Sequence, residues 1–268
     1  MARSFSIASY NVLADSYVNP QWYPNVDPEI LRWDRRKFAL AEKVARLDAD
    51  IVCLQEVEAD AYALIERSLG AKGYSGIYAK KGRDKPDGCA MFFRQEGLGF
   101  AGADTFYYRD GRRGDPDSGH LALIISFECE WGVIKVATTH LRWGQENKPP
   151  EDHIGYRQIR ELIDERFKSD LTAYAWIVCG DLNAQSGDPV VKELISNGFV
   201  DAYAGREQVT CNPNLRAKRI DYIFHTSDHS SSLRAEPARL MEIDDLTPLP
   251  SADEPSDHLA LVATFRKA

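Results

Sequence analysis

The stretch DIVCLQEV at residues 50–57 shows most clearly how this chain folds. Four apolar residues, 51–54, run without interruption and stop at Gln55 and Glu56. A strand that is buried on both faces has this composition, because neither face meets water. The stretch therefore predicts a strand inside the protein that ends in an acidic side chain.

Other predicted strands of the chain end in the same way, at a polar residue. Residues 5–10 alternate in polarity and meet Asn11, residues 133–139 stop at His140, and residues 176–179 stop at Gly180 and Asp181. Further strands are predicted at 89–93, 121–127, 220–224 and 259–265. Strand ends that share one rim would bring these polar groups together on a rigid scaffold.

The helices indicate the fold class. Apolar residues recur at helical spacing in residues 34–47, 59–69, 152–167 and 190–196. The strands, at least eight in number, are not separated by regular helices, so a doubly wound parallel sheet fits poorly. We expect one domain over residues 1–268, built from two packed, mixed, mostly antiparallel sheets with helices outside.

Composition narrows the class of protein. The chain has 268 residues and lacks an apolar run of about 18 residues, so no transmembrane helix and no signal peptide are expected. Its five cysteines are odd in number and form no CxxC pair, which argues against a disulfide framework or a zinc site. We expect a cytoplasmic protein with no membrane association and no obligate protein partner.

The charge balance bears on the partner. A net charge of −8 and a pI of about 5.3 are unlike a protein that grips long nucleic-acid duplexes. Basic clusters nevertheless occur at residues 80–85, 109–113 and 216–219. They are either solvated loops or an electrostatic rim around an anionic substrate.

The polar strand ends have the chemistry of a site for a hard metal and a phosphate. Mg²⁺ prefers carboxylate and amide oxygens, and imidazole and amide groups can stabilise charge on phosphate oxygens. Taken singly, each residue has a simpler explanation, such as a turn, a helix cap or a loop histidine. Taken together, they predict a metal-dependent phosphoesterase.

The ordered motifs carry a resemblance to a known family. They are YNVL at 10–13, LQEV at 54–57, THL at 139–141, GDLN at 180–183, RIDYI at 219–223 and SDH at 256–258. In this order they resemble the endonuclease/exonuclease/phosphatase superfamily, which includes DNase I, abasic-site endonucleases, sphingomyelinases and inositol polyphosphate 5-phosphatases. The resemblance implies a four-layer α/β/β/α sandwich and a mechanism that depends on Mg²⁺, with Mn²⁺ as a substitute.

Longer stretches resemble one branch of that superfamily. YNVLADSY at 10–17, LRWDRR at 31–36, DGCAMFF at 87–93 and PSDHLALVA at 255–263 are similar to nocturnin, Angel and deadenylase proteins. The branch acts on RNA 3′ ends, 2′-5′ oligoadenylates, 2′,3′-cyclic phosphate ends or NADP-type dinucleotides. The segment between Phe93 and His120 is short here, so the substrate stays open among an RNA 3′ end, a short oligonucleotide and a nucleotide.

Residue chemistry and resemblance together imply a role for each motif residue. Glu56 is expected to bind the metal directly, with Asn11 beside it and Asp257 in the outer shell of metal ligands. Asp181 is expected to deprotonate the attacking water.

The remaining motif residues are expected to contact the phosphate or to orient such a residue. Asn183 would hold the phosphate, His258 would donate to it with Asp221 behind, and His140 would be a second donor. Arg142 and Trp143 are either an exposed loop or contacts for a second phosphate and a base.

Other readings of the motifs remain open. The chain could be a phosphomonoesterase for a non-nucleotide phosphate, although no amphipathic membrane-binding segment supports a lipid substrate. It could be a DNA endonuclease, which the acidic balance disfavours. A catalytically inactive binding module would be expected to have lost a key acid or histidine, whereas Glu56, Asp181, Asp221 and His258 are all present.

Overall fold

Two six-stranded sheets form the centre of the structure. The computed structural model describes residues 4–112, 114–144, 149, 152–170, 172–206, 208–227 and 233–268. The first sheet has the order β11-β12-β1-β2-β4-β3, and the second has the order β5-β6-β7-β8-β10-β9. The first sheet contains β1 (Ser4–Asn11), β2 (Ile51–Glu58), β3 (Tyr74–Lys80), β4 (Asp87–Arg94), β11 (Leu233–Pro237) and β12 (Leu261–Lys267). The second contains β5 (Gly99–Tyr107), β6 (Leu121–Cys129), β7 (Gly132–His140), β8 (Ala175–Asp181), β9 (Phe199–Asp201) and β10 (Asp221–Thr226).

The short helix α1 (Pro28–Leu31) packs through Leu31 against the loop after β1. The outer faces of the two sheets are covered by α2 (Trp33–Arg46), α3 (Ala59–Gly70), α4 (Ile154–Leu162) and α5 (Pro189–Ser196). Apolar residues of α2 and α3 pack on the first sheet, and those of α4 and α5 pack on the second. A third apolar cluster fills the space between the sheets. These layers confirm the expected α/β/β/α sandwich with two mixed sheets.

The strand directions place the polar strand ends at one rim. Among the described strands, β1 runs parallel to β2 and β7 runs parallel to β8, while the other pairs are antiparallel. Asn11 therefore lies opposite Gln55, and His140 lies opposite Asp181. Gln55 Nε2 donates to Thr138 Oγ1 across the sandwich at 2.9 Å, which ties the two sheets together just below this rim.

Strand β2 differs from its predicted form around Glu56. It continues to Glu58, and its pairing with β4 becomes irregular between Leu54 and Val57. Glu56 lies in this irregular stretch with φ = 57°, in the left-handed region. Such a bulge re-aims a side chain that strict alternation would point elsewhere. The sequence predicted the acid at the strand end but not this backbone conformation.

Four of the described strands, namely β3, β5, β9 and β11, are not predicted from the sequence. All four lie at sheet edges, where one side of the strand has no neighbour in the sheet. Strand β5 shows why they were missed, since its residues GFAGADTFY are mostly exposed and poor in β-branched residues. Its order comes from backbone pairing with β6 rather than from an apolar pattern.

The predicted helices occur close to their expected places. The helix expected at 152–167 is α4 followed by a π-helical turn, Ile163–Phe167. All five cysteines are buried and unpaired. No helix within the described part of the chain is long and apolar enough to span a membrane.

Candidate active site

Asn11 links the acidic groups of the two sheets. It is fully buried at the end of β1, and its Nδ2 donates to Glu56 Oε1 at 3.0 Å and to Asp181 Oδ2 at 3.0 Å. Its Oδ1 accepts from the Leu13 backbone N–H at 3.0 Å, which fixes the orientation of the amide. One side chain of the first sheet thus holds a carboxylate from each sheet in the same place.

The carboxylate of Glu56 faces the space between the sheets. Its second oxygen accepts from the Ala14 backbone N–H at 3.0 Å. Burial raises the pKa of Glu56, while Lys81 and the Asn11 amide oppose that rise. A buried carboxylate with few positive neighbours is a favourable ligand for a cation, because the cation restores the electrostatic stabilisation lost with water.

Asp181 is the acid at the centre of the cluster. Its Oδ1 accepts from the Asn183 backbone N–H at 2.9 Å. Its Oδ2 lies 3.6 Å from His140 Nε2 and 3.8 Å from His258 Nε2. Burial and the nearby Asp221 raise the pKa of Asp181 to about 7. A carboxylate with a pKa near neutrality can accept a proton from water far better than an ordinary aspartate.

His258 is held by a carboxylate from the second sheet. Its Nδ1 lies 2.9 Å from Asp221 Oδ2, and because a carboxylate only accepts, Nδ1 carries the proton. Thr210 Oγ1 donates to the same oxygen at 2.6 Å. Burial alone would lower the pKa of His258, but Asp221 and two further acids outweigh burial and raise it well above its usual value. His258 is therefore a charged donor whose Nε2 faces Asp181.

His140 has the opposite environment. Its Nδ1 lies 3.2 Å from Lys81 Nζ, and its Nε2 lies 3.0 Å from Asn183 Nδ2. An imidazolium would point a proton at a nitrogen donor on each side, whereas the neutral ring can accept from one of them. Burial lowers the pKa of His140 well below its usual value, and Lys81 lowers it further. His140 is therefore a neutral ring.

Lys81 is buried and belongs to a chain of polar contacts. Its Nζ pairs with Asp87 Oδ2 at 2.6 Å, and Tyr17 donates to Asp87 Oδ1 at 2.7 Å. Lys81 is 4% exposed, so it is not one of the solvated residues of the basic cluster at 80–85. The chain of contacts connects the loop after β1, the start of β4 and His140.

Asp257 completes the acidic side of the cluster. Tyr23 donates to Asp257 Oδ2 at 3.1 Å, and the other oxygen, Oδ1, is buried with no hydrogen-bond partner among the described residues. A buried carboxylate oxygen without a donor is costly unless a cation or water meets it. This orphan oxygen, with Glu56 and Asp181, makes a set of hard oxygen donors that suits Mg²⁺.

Among the described residues, two groups of side chains have ligand atoms close enough to share an ion. They are Glu56 with His140 and Asp181, and Cys211 with Asp221 and His258; the ligand atoms of each group lie within 4.8 Å of one another. The second group is already satisfied internally, since His258 and Asp221 are hydrogen-bonded to each other. In the first group, the oxygens of Glu56 and Asp181 accept hydrogen bonds from uncharged amide groups and keep further lone pairs, so this group is the better candidate for a metal.

The two predicted substrate contacts lie beyond His140. Arg142 is exposed, and its backbone N–H donates to Gln158 Oε1 at 2.8 Å, which fixes the backbone of the loop but not the guanidinium. Trp143 is 58% exposed. All eight remaining predicted site residues, by contrast, come together in one cluster; they are Asn11, Glu56, His140, Asp181, Asn183, Asp221, Asp257 and His258.

Several residues of the cluster were not identified from the sequence. Lys81 was seen only as part of a basic run, and Asp87 only as part of a family-like motif. The other three are Tyr17, which ends the motif at 10–17, together with Tyr23 and Thr210. Their contacts join residues far apart in the chain, so no local pattern shows what they contact.

The other basic clusters form ion pairs instead of a rim. Arg109 pairs with Glu161 at 3.0 Å and Arg219 pairs with Asp201. Arg112 pairs with Asp152, and Arg113 lies outside the described residues. These contacts favour the solvated-loop interpretation for Arg109 and Arg112, which are exposed, whereas Arg219 belongs to a largely buried ion pair.

The amino-acid sequence is similar to those of known proteins. The chain is 27% identical over 329 residues to "CCR4-Not complex 3'-5'-exoribonuclease subunit Ccr4" of Saccharomyces cerevisiae, covering 98% of this chain and 39% of that protein. It is 30% identical over 198 residues to "Protein angel homolog 2" of Bos taurus, covering 69% of this chain and 36% of that protein. The chain thus spans only about two fifths of the length of these two relatives.

Solved structures share the fold. The crystal structure of ANGEL2, described as a 2′,3′-cyclic phosphatase, in complex with adenosine-2′,3′-vanadate superposes with a TM-score of 0.82 at 23% identity, covering 98% of this chain and 96% of that one. The human Nocturnin catalytic domain with bound sulfate superposes with a TM-score of 0.73 at 24% identity, covering 99% and 94%. The sequence also matches the family described as "Endonuclease/Exonuclease/phosphatase family" over residues 8–258. The chain therefore belongs to the endonuclease/exonuclease/phosphatase family, a family of hydrolases.

Proposed function

We propose that this protein is a Mg²⁺-dependent phosphoesterase that hydrolyses a phosphoester at an RNA 3′ end or in a nucleotide. The observation that carries the proposal is the position of Asp181. Its Oδ2 accepts from Asn11 at 3.0 Å and lies within 4 Å of both His140 and His258. An acid with a pKa raised to about 7, beside one charged and one neutral imidazole, suits hydrolytic chemistry.

Asp181 would act on the attacking water. Asn11 and the Asn183 backbone N–H fix both of its oxygens, so the carboxylate cannot rotate freely. Orientation of this kind lowers the entropic cost of bringing water to the phosphorus. In its ionised form Asp181 orients the water and takes its proton as the new bond forms.

His258 would stabilise the charge that develops on the phosphate. Asp221 holds its Nδ1–H, which leaves Nε2–H directed toward the site. Its raised pKa keeps the ring charged at neutral pH. A charged donor aimed at a developing negative charge contributes more in the transition state than in the ground state.

Glu56 would hold the metal, with Asp257 and Asn11 near it. When bound, Mg²⁺ polarises a phosphate oxygen and neutralises negative charge. The donor set supports this role because Asp257 Oδ1 has no partner among the described residues. Mn²⁺ shares the preference for carboxylate oxygens and would substitute.

Asn183 and His140 would act as a pair. Asn183 Nδ2 donates to the Leu141 carbonyl at 2.9 Å and contacts His140 Nε2 at 3.0 Å, so both of its amide hydrogens are engaged. To hold a phosphate oxygen, Asn183 would have to exchange the His140 contact for the substrate. His140 would then be free to reach the same phosphate.

A nucleotide-like substrate is supported by the surroundings. The exposed guanidinium of Arg142 suits a second phosphate, and the exposed ring of Trp143 suits a base. The relatives named above are described as an exoribonuclease and a 2′,3′-cyclic phosphatase. The net charge of −8 disfavours a long duplex.

Five unpaired cysteines support a cytoplasmic setting.

A substrate panel tests the proposal. The purified chain is incubated with Mg²⁺, Mn²⁺ or EDTA and with oligo(A) ending in a 3′-hydroxyl, the same oligonucleotide ending in a 2′,3′-cyclic phosphate, 2′-5′ oligoadenylate, NADPH, an inositol phosphate and supercoiled plasmid. We expect metal-dependent hydrolysis of at least one of the first four. Asp181→Asn, which keeps the shape of the side chain, serves as the inactive control.

The outcomes separate the two parts of the proposal. Full activity in EDTA would refute the metal dependence. Exclusive nicking of plasmid, or exclusive hydrolysis of inositol phosphate, would refute the substrate class while leaving the phosphoesterase chemistry intact. Equal activity of Asp181→Asn and the unchanged protein would refute the assignment of the base.

A further inference from the structure

Arg36 is a buried cation that no motif of the site explains. It lies in the first turns of α2 with a fully buried side chain, and it is the largest such side chain among the described residues. Burial lowers the pKa of Arg36, and acids such as Asp15 oppose that shift. The Asp15 carboxylate is 3.7 Å away, beyond hydrogen-bonding distance. A buried guanidinium without a close carboxylate is costly, so some other contact must account for it.

Besides lying over the Trp33 ring, Arg36 forms its hydrogen bonds with backbone carbonyls of two loops. Its Nη1 donates to Leu13 O at 2.7 Å, to Val12 O at 3.2 Å and to Pro255 O at 3.4 Å. Val12 and Leu13 directly follow Asn11, and Pro255 directly precedes the SDH motif at 256–258. One guanidinium therefore joins the two loops that deliver residues of both sides of the metal cluster.

The first of these loops has a conformation that needs support. Leu13 has φ = 54°, a strained value for a residue with a branched side chain. Its N–H donates to Asn11 Oδ1, and the next N–H, that of Ala14, donates to Glu56 Oε2. If Leu13 relaxed, both bonds would be lost. Arg36 holds the Leu13 carbonyl and so opposes that relaxation.

The second loop is connected to the first at the same point. Ser256 Oγ donates to the Asn11 carbonyl at 2.7 Å and accepts from the His258 N–H at 3.1 Å. Asp257, whose Oδ1 lacks a partner among the described residues, lies between these two. The position of Asp257 relative to Glu56 therefore depends on the contact between the loops. Arg36 stabilises this contact because it donates to a carbonyl of each loop.

We propose that Arg36 is a positioning residue for the metal site, which it supports by holding the loops at 12–14 and 255–257 in register. The inference rests on the proposed function for the identity of the metal but not for the geometry of the loops. Partners behind metal ligands typically affect metal affinity or activity by about 10- to 100-fold. Arg36 does not contact the substrate in this proposal.

Three variants test the role of Arg36. Arg36→Gln removes the charge and most donors, and Arg36→Lys keeps the charge with a single ammonium. Lys43→Gln is the matched control. Lys43 lies on the same helix and pairs with Glu254 at 2.6 Å, one residue before Pro255, and among the described residues it forms no hydrogen bond or ion pair with the loop after Asn11.

The first measurement does not depend on metal or activity. Amide hydrogen exchange is followed in peptides that cover residues 12–16 and 254–259, with EDTA present. We expect Arg36→Gln to accelerate exchange in both segments, Arg36→Lys to do so less, and Lys43→Gln to affect the second segment alone. Unchanged exchange in the first segment of Arg36→Gln would overturn the proposal.

The second measurement is Mg²⁺ affinity by titration calorimetry, with kcat and KM on the substrate identified above. Arg36→Gln is expected to weaken Mg²⁺ binding at least tenfold and to lower kcat with little change in KM, while Lys43→Gln, which loosens the second loop alone, has a smaller effect on both. If Arg36→Gln does not fold, Arg36→Lys carries the comparison in both measurements. Loss of Mg²⁺ binding equal in Arg36 and Lys43 variants would overturn the proposal. An unchanged protein that binds no Mg²⁺ would refute the proposed cofactor, while the exchange result would still decide the role of Arg36.

Discussion

The two halves of the site each contain one histidine, and the two rings differ in charge. His258 comes from the loop before β12 and faces Asp221, whereas His140 ends β7 and faces Lys81. Both are buried, and burial lowers the pKa of each ring. Around His258, acids reverse this lowering of the pKa, whereas Lys81 lowers the pKa of His140 further. Residue type alone therefore does not assign a role to a histidine; its nearest charged partner does.

Because the two rings differ in charge, the two halves of the site offer different chemical groups to a substrate. The His258 half offers a charged donor supported by a carboxylate and a hydroxyl. The His140 half offers a neutral ring in contact with an amide and a buried ammonium. Asp181 lies between the two rings and is within 4 Å of each. Asp181 therefore has a charged imidazole on one side and a neutral imidazole on the other, so it can accept a proton on one side and give it up on the other.

Removal of each ring tests this asymmetry most directly. We expect His258→Ala to lose about 10³ in kcat and His140→Ala to lose about 10², since only His258 is a charged donor to the phosphate. Steady-state kinetics with saturating Mg²⁺ measures both. Circular dichroism of the two variants excludes unfolding as the cause. A larger loss for His140→Ala would reverse the assignment.

Removal of the acid behind His258 should make the two rings more alike. In Asp221→Asn the largest influence that raises the pKa of His258 is gone, so the ring loses its proton at a lower pH. The active form is the protonated one, so the alkaline limb of the kcat profile should move to lower pH, with a loss of about 10- to 100-fold at pH 8 and a smaller loss at pH 6. Profiles that differ by the same factor at every pH would contradict this explanation.

Removal of the cation beside His140 tests the other half. In Lys81→Met the pKa of His140 should rise toward its usual value, because one of the groups that lowers it is absent. We expect a loss of about tenfold in kcat that is greater at pH 6 than at pH 8, where the ring is neutral again. Lys80→Met is the control, since Lys80 is exposed at the end of β3. An equal effect of both substitutions would exclude a specific role for Lys81.

The smallest expected effect concerns stability without metal. The pKa of Asp181 is raised from 3.8 to about 7 in the folded protein, so the folded state favours the protonated acid. Stability from this group is present at low pH and is lost as pH rises from about 4 to about 7. Asp181→Asn should therefore unfold at higher urea at pH 8 in EDTA, by roughly 1–3 kcal/mol, with a smaller difference at pH 5 and almost none at pH 4. Equal stability of the two proteins at pH 8 would contradict the raised pKa.

The sequence by itself determined much of the fold. Continuous apolar runs such as 51–54 and 176–179 indicate interior strands, and the helical spacing of 34–47 indicates an amphipathic helix. These patterns arise because burial selects residue types locally. Edge strands such as β5 escaped detection because half of their backbone contacts and most of their side chains face solvent.

The sequence also determined the eight residues that the structure brings into one cluster. A polar residue at the end of an apolar strand is unusual enough to be noticed without knowing its partners. Glu56 and Asp181 were found in this way. The ordered motifs then indicated that the strand ends belong to one site, although nothing local says how far apart they lie.

Only the tertiary structure decided which groups are charged and what supports them. Lys81 contacts His140 and is paired with Asp87 at the start of β4, and Arg36 reaches both site loops from a helix. The left-handed backbone of Glu56 depends on an irregular pairing with β4. Contacts of this kind join segments that are distant in the chain, and a pKa depends on the distances between charges and on burial, neither of which a local pattern contains.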